Sequence, residues 1–280
     1  MTGMNDVISI IDNLLDIFSY AFMVRALVAG SLISLCAALL GVSLVLRRCS
    51  MIGDGLSHVG FGALAFASAL HLAPLAVSIP VVGGAAFLLL RLSANGKIAA
   101  DASIALVSTS SLALGAIVIS KTSGMNIDVY NYMFGSILSV SETDLYLCVA
   151  LSVVLLVMFI LCYDGIFAVT FDETFARACG LGAGAYNVII SLLTALTITL
   201  GMRMMGALLI TSLIIFPPLT SMRLRKKFKS VVICSALVSV TCFVSGIVLS
   251  CLLDTPAGAS VVAVNMAAFA AFSLIAALKS

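Results

Sequence analysis

Residues 24–46 read VRALVAGSLISLCAALLGVSLVL, and after Arg25 no charged residue interrupts the run until Arg47. An α-helix rises about 1.5 Å per residue, so a run of this length matches the ~30 Å hydrocarbon core of a bilayer. Lipid offers no hydrogen-bond partners, and a segment that crosses it must satisfy its own backbone, as a helix does. Comparable apolar runs follow at 54–71, 73–91, 102–120, 145–163, 185–201, 203–222, 231–252 and 259–278. The predicted fold is all-α: a polytopic membrane helical bundle with about eight or nine transmembrane helices. The first segment and the short hairpin near Pro74 leave the number open.

Composition excludes a soluble domain. Hydrophobic residues make up 62% of the 280 residues and charged residues 9%, where soluble domains carry about 25%. Mean hydropathy is +1.27. The net charge of +2 says little, but its distribution sets the topology. If the first span runs inward, the inside loops hold Arg47, Arg48, Arg91, Lys97, Arg177, Arg223, Arg225, Lys226, Lys227, Lys229 and Lys279. Only Arg25, Lys121 and Arg203 fall outside, so the C-terminus is expected in the cytoplasm of a bacterial inner-membrane protein. These cations read as topological anchors, and no nucleic-acid partner is expected.

Residues 1–22 carry Asp6, Asp12 and Asp16 but no basic residue, unlike a cleaved signal peptide. Ile8, Ile11, Leu15 and Phe18 recur at helical spacing, which predicts a short amphipathic helix on the membrane surface. Residues 23–280 form one membrane domain. Two connections are long: 121–144, expected outside with an apolar patch that either dips into the membrane surface or covers a pathway's mouth, and 164–184, expected inside. Within the second, Asp172 fits a helix N-cap and Gly180 a helix stop. No GxxxxGK[ST] phosphate loop occurs, so ATP hydrolysis, if it drives this protein, belongs to another chain. The eight cysteines stand singly without a CxxC pair and read as small hydrophobes.

The sharpest polar feature is Asp54-Gly-Leu-Ser-His58. At i, i+4 the two side chains share a helix face, roughly 9–15 Å into the membrane when counted from Arg48. A carboxylate and an imidazole suit Zn²⁺, Mn²⁺ or Fe²⁺. The competing readings are an Asp–His hydrogen bond that holds the bundle together and a capping role for Asp54. Gly53, Gly55, Gly60 and Gly62 allow close helix packing or ion access. His71 reads as a solvated loop residue and Asp101 as an N-cap. Arg203 either snorkels to headgroups or pairs with a carboxylate, and Met202, Met204 and Met205 read as packing. Pro217-Pro218 interrupts the seventh span, as a hinge or as its cytoplasmic end.

The chain resembles the permease subunits of ABC importers for zinc, manganese and iron, the ABC-3 family of metal transporter membrane proteins. The resemblance rests on FMVRALVAG at 22–30, LRRCSMIGDGLSH at 46–58, VYNYMFGSIL at 129–138, FDETFARACGLGAGAYN at 171–187, MRMMGALLITSLIIFPPLTS at 202–221 and DTPAGASVV at 254–262. It implies a non-enzymatic permease with no permanently bound cofactor, whose cargo is the divalent metal ion. It also implies as partners cytoplasmic ABC ATPase subunits, an extracytoplasmic metal-binding protein, and a second permease copy or sister permease. The family implicates the positions of Asp54 and His58 in metal passage. It makes Asp172–Gly180, with Glu173, Ala176 and Arg177, the coupling helix seated on the ATPase. Gly55 departs from the alanine often found there. The main rival is a proton-coupled secondary metal transporter. An embedded metalloenzyme lacks further ligands and HExxH, and a purely structural subunit would tolerate loss of both polar residues.

Overall fold

The computed structural model describes residues 20–94, 99–122, 135 and 142–278. The amphipathic segment expected before residue 20, Lys97, and nearly all of the external segment 121–144 lie outside the described residues. In chain order the helices are α1 (Ala21–Leu46), α2 (Ile52–Ala69), α3 (Pro74–Ala94), α4 (Ala100–Lys121) and α5 (Glu142–Leu161). They continue as α6 (Tyr163–Phe171), α7 (Glu173–Ala178), α8 (Ala183–Met205), α9 (Ala207–Leu224), α10 (Phe228–Leu253) and α11 (Ala257–Leu278). Every apolar run read from the sequence is a helix.

Burial sorts these helices into a post and a sleeve. α1 carries small residues at Ala29, Gly30, Ala37, Ala38 and Gly41, and it packs against α5, α8, α9 and α10. Without a water-driven apolar effect between helices in lipid, such close small-residue contacts are what hold a bundle. α4 and α11 stand outermost, and Leu106, Ile117, Leu274 and Leu278 face outward as lipid-contacting side chains should.

The crossings that length and composition support directly are fewer than eight or nine. Among the described residues, six helices are long and apolar enough to span by themselves: α1, α4, α8, α9, α10 and α11. A seventh span appears if α5 and α6, bent by 70° at Cys162, count as one. α2 falls short because Asp54, His58 and its four glycines lower its hydropathy, and the apolar part of α3 is confined to Ala76–Leu92. Length and composition therefore do not by themselves give eight or nine.

The prolines also differ from expectation. α9 runs on as helix through Pro217 and Pro218 to Leu224, so they interrupt nothing and lie inside the helix, buried. Pro218 has no N–H for the carbonyl of Ile214. That carbonyl is turned against α1 at Gly41, where an added Cβ would collide with it and lie 2.9 Å from Pro218 Cγ. A helix-breaking residue on one span is thus matched by a missing side chain on the next.

The long connection 164–184 is mostly helical, with α6 beyond what the sequence predicts. α7 has the expected ends. Asp172 accepts a hydrogen bond from the Phe175 N–H at 2.9 Å as N-cap. Gly180, at φ +81°, closes the other end as the Gly180 and Leu181 N–H groups donate to Arg177 and Ala176 carbonyls, both at 3.0 Å. Ala176 is buried against Val169 and Ala183, which seats α7 on α6 and α8. Gly135 lies so close to the α8–α9 turn that a Cβ there would collide with Met205 and Gly206.

Gly41→Ala should cost about 1–3 kcal/mol by overpacking and lower the thermal midpoint of the purified protein, whereas Gly84→Ala, with nothing within 4 Å of its Cβ, should not. Asp172→Ala should cost about 1 kcal/mol and Gly180→Val about 1–2 kcal/mol. Both losses should appear as faster amide exchange confined to α7.

Candidate metal pathway and coupling surface

α2 carries Asp54 and His58 on one face, as the i, i+4 spacing requires. His58 Nε2 lies 3.7 Å from Asp54 Oδ2, beyond hydrogen-bond range, and His58 Nδ1 is buried with no partner. The side chains are 27% and 47% exposed respectively. The N-cap of α2 is Met51, with no side-chain cap, so Asp54 does not cap the helix. Neither competing role, an Asp–His hydrogen bond or a cap, is realised in this geometry.

The glycines explain why this face is open. Gly53 abuts Thr211 and Ile214 of α9, Gly55 and Gly62 abut Ile104 and Ser111 of α4, and Gly60 abuts Met202 of α8. α2 is therefore gripped on its small-residue sides, while the Asp54 and His58 side chains stay partly exposed. A carboxylate oxygen and an imidazole nitrogen sharing one tetrahedral ion at ~2.0–2.1 Å lie roughly 3.3 Å apart. The observed 3.7 Å is a small side-chain rotation from that spacing. Among the described residues no third His, Cys, Asp or Glu joins them, so a bound cation would complete its shell with water or with groups from another chain.

The other polar candidates fall away from the pair. His71 is exposed past the end of α2, as expected of a loop residue. Asp101 lies in the first turn of α4, but the N-cap is Ala99, which corrects the capping role assigned to it. Arg203 is exposed in the last turn of α8. The Met202 thioether rests over Gly60, and Met204 and Met205 are buried, which is packing. Cys36, Cys49, Cys148 and Cys242 are buried thiols.

Glu173 and Arg177 pair across one turn of α7, and Phe175 projects with 66% exposure. Sequence spacing did not single out this exposed aromatic. Arg47 was missed as well. Its guanidinium donates to Val169 O at 3.0 Å and to Asn187 Oδ1 at 2.7 Å, tying the α1–α2 turn to α6 and α8. Burial lowers the Arg47 pKa, with Glu173 opposing the shift, and an arginine stays charged regardless. A cation ending an apolar run is by default a topological anchor, so no sequence signal marks this role.

Comparison with known proteins agrees with the geometry. The high-affinity zinc uptake system membrane protein ZnuB of Haemophilus influenzae is 31% identical over 244 residues, covering 87% of this chain and 93% of that one. The manganese transport system membrane protein MntC of Halalkalibacterium halodurans is 27% identical, over 91% and 87%. The solved structure of PsaBC from Streptococcus pneumoniae in complex with Fab superposes with TM-score 0.83 at 25% identity, covering 94% of this chain and 95% of that one. The profile of the ABC 3 transport family matches residues 19–276, nearly the whole chain, which belongs to that family.

Proposed function

We propose that Asp54 and His58 form the transient metal-binding step of a membrane permease that carries a divalent transition metal into the cytoplasm. The chain is the membrane subunit of such an ABC importer for zinc, manganese or iron, in the bacterial inner membrane, and does not itself hydrolyse ATP. The observation that carries the assignment of the pair is the open, unlocked geometry on α2, with an unpartnered imidazole nitrogen. Ionisable side chains at membrane depth are costly and persist where they line a path or pair with an ion.

The remaining parts follow from that reading. α2 and α3 also cross, which brings the crossings to about nine and puts Asp54 nearer the cytoplasmic end of α2. A metal-binding protein outside delivers the ion, and a second permease, identical or sister, faces the open side of α2. The ion exchanges part of its hydration shell for the Asp54 carboxylate and His58 imidazole. With two protein donors the site holds it weakly enough to let it go. One of two ATPase subunits grips α7 through Asp172, Glu173, Ala176, Arg177 and Gly180, Ala176 as the buried seat and the others as contact or cap. Motion of α7 reaches α2 through Val169, Asn187 and Arg47. Pro217 and Pro218, where α9 lacks two backbone donors, are the flexing point against α1.

With the permease and its ATPase co-expressed, wild type should accumulate one of zinc, manganese or iron. At matched protein levels Asp54→Ala and His58→Ala should each reduce accumulation at least about tenfold. Unchanged accumulation in both variants would move the pathway elsewhere.

A further inference from the structure

Two openings on the α3–α8 side of the bundle are continuous. At the cytoplasmic end a cleft of about 470 Å³ lies between α3, α7 and α8, and is lined by Arg91, Glu173, Arg177 and Asn187. Phe87 and Val188 also line it, and the same two residues border a groove of about 380 Å³ that continues between α3 and α8. That groove is almost wholly apolar and is floored by Gly83 and Gly84. From Phe87 to Ile79 the groove follows about 12 Å of helix, and with the cleft up to Arg91 the two openings cover about 18 Å, close to the ~15 Å depth of one leaflet.

The polar end suits a phosphodiester. Two guanidinium groups face one carboxylate, and Glu173 is engaged by Arg177. Arg91 is exposed and has no ion pair among the described residues. α8 begins at this cleft without a side-chain cap, so its positive dipole end adds to the potential. A basic pocket between membrane helices on the cytoplasmic face, open to an apolar slot of leaflet depth, has the chemistry of an anionic phospholipid site.

We infer that one anionic phospholipid of the cytoplasmic leaflet binds here. Its phosphate sits between Arg91 and Arg177, and an acyl chain lies along Gly83 and Gly84. The lipid would then bridge α3 to the coupling helix α7.

The test measures binding of phosphatidylglycerol and phosphatidylcholine to the intact permease–ATPase complex by native mass spectrometry. Wild type should retain phosphatidylglycerol in preference to phosphatidylcholine. Arg91→Gln should weaken retention about fivefold, the loss of one surface cation. Gly84→Leu should block the acyl slot without disturbing the fold, since nothing lies within 4 Å of its Cβ. A thermal melt matching wild type confirms that each variant is folded. Equal retention of both lipids, or displacement by inorganic phosphate alone, would overturn the inference. So would Gly84→Leu leaving lipid bound, or breaking the permease pair instead, which would make the groove a protein interface.

Discussion

Hydrocarbon does not solvate charge, and that constraint organises this molecule. A carboxylate or similar charge at the centre of a membrane helix costs about 2.5–3.5 kcal/mol even on the mildest scale. Between α1 and α11 several hydroxyl groups answer the same constraint by turning back on their own helices. Ser57 donates to Gly53, Thr197 to Leu193 and Thr199 to Ala195. Ser239 instead reaches across to the Ser34 carbonyl at 2.9 Å and pins α10 to α1. Asp54 and His58 have only each other, 3.7 Å apart, and the buried His58 Nδ1 has no partner; on the proposed reading, that is where an ion relieves the constraint.

The same constraint separates stable framework from moving parts. α1 is fixed by close backbone approach, with Gly41 set against the Ile214 carbonyl that Pro218 leaves free. α2 buries Ile52, Leu56 and Val59 in the same core, and its glycines receive Ile214, Ile104 and Met202 from the neighbouring helices. The turn leading into it is held by the Arg47 hydrogen bonds to Val169 of α6 and Asn187 of α8, the two helices on which α7 is seated.

Much of this was legible in the sequence because lipid makes the code simple. Each apolar run became a helix within a few residues, and Asp172 and Gly180 marked the ends of α7 through rules that act within one turn. What the sequence could not show was long-range. Arg47 meets Val169 and Asn187 more than a hundred positions away, and no local pattern encodes that. Asp101 looked like a cap by residue type, yet the chain enters α4 two residues earlier at Ala99. Pro217-Pro218 looked like a break because the compensating Gly41 lies on another span. The Asp54–His58 spacing was plain, but only the 3.7 Å separation distinguishes an open ligand pair from a closed hydrogen bond.

The most direct measurement is metal uptake into proteoliposomes that hold the purified permease–ATPase complex, supplied with its metal-loaded binding protein. ATP is given to the ATPase face, and an ionophore collapses any proton gradient. The account predicts uptake of one divalent metal that requires ATP and is indifferent to the ionophore. Uptake that proceeds without ATP and stops with the ionophore would contradict it, and would make Asp54 and His58 the site of a proton-coupled carrier.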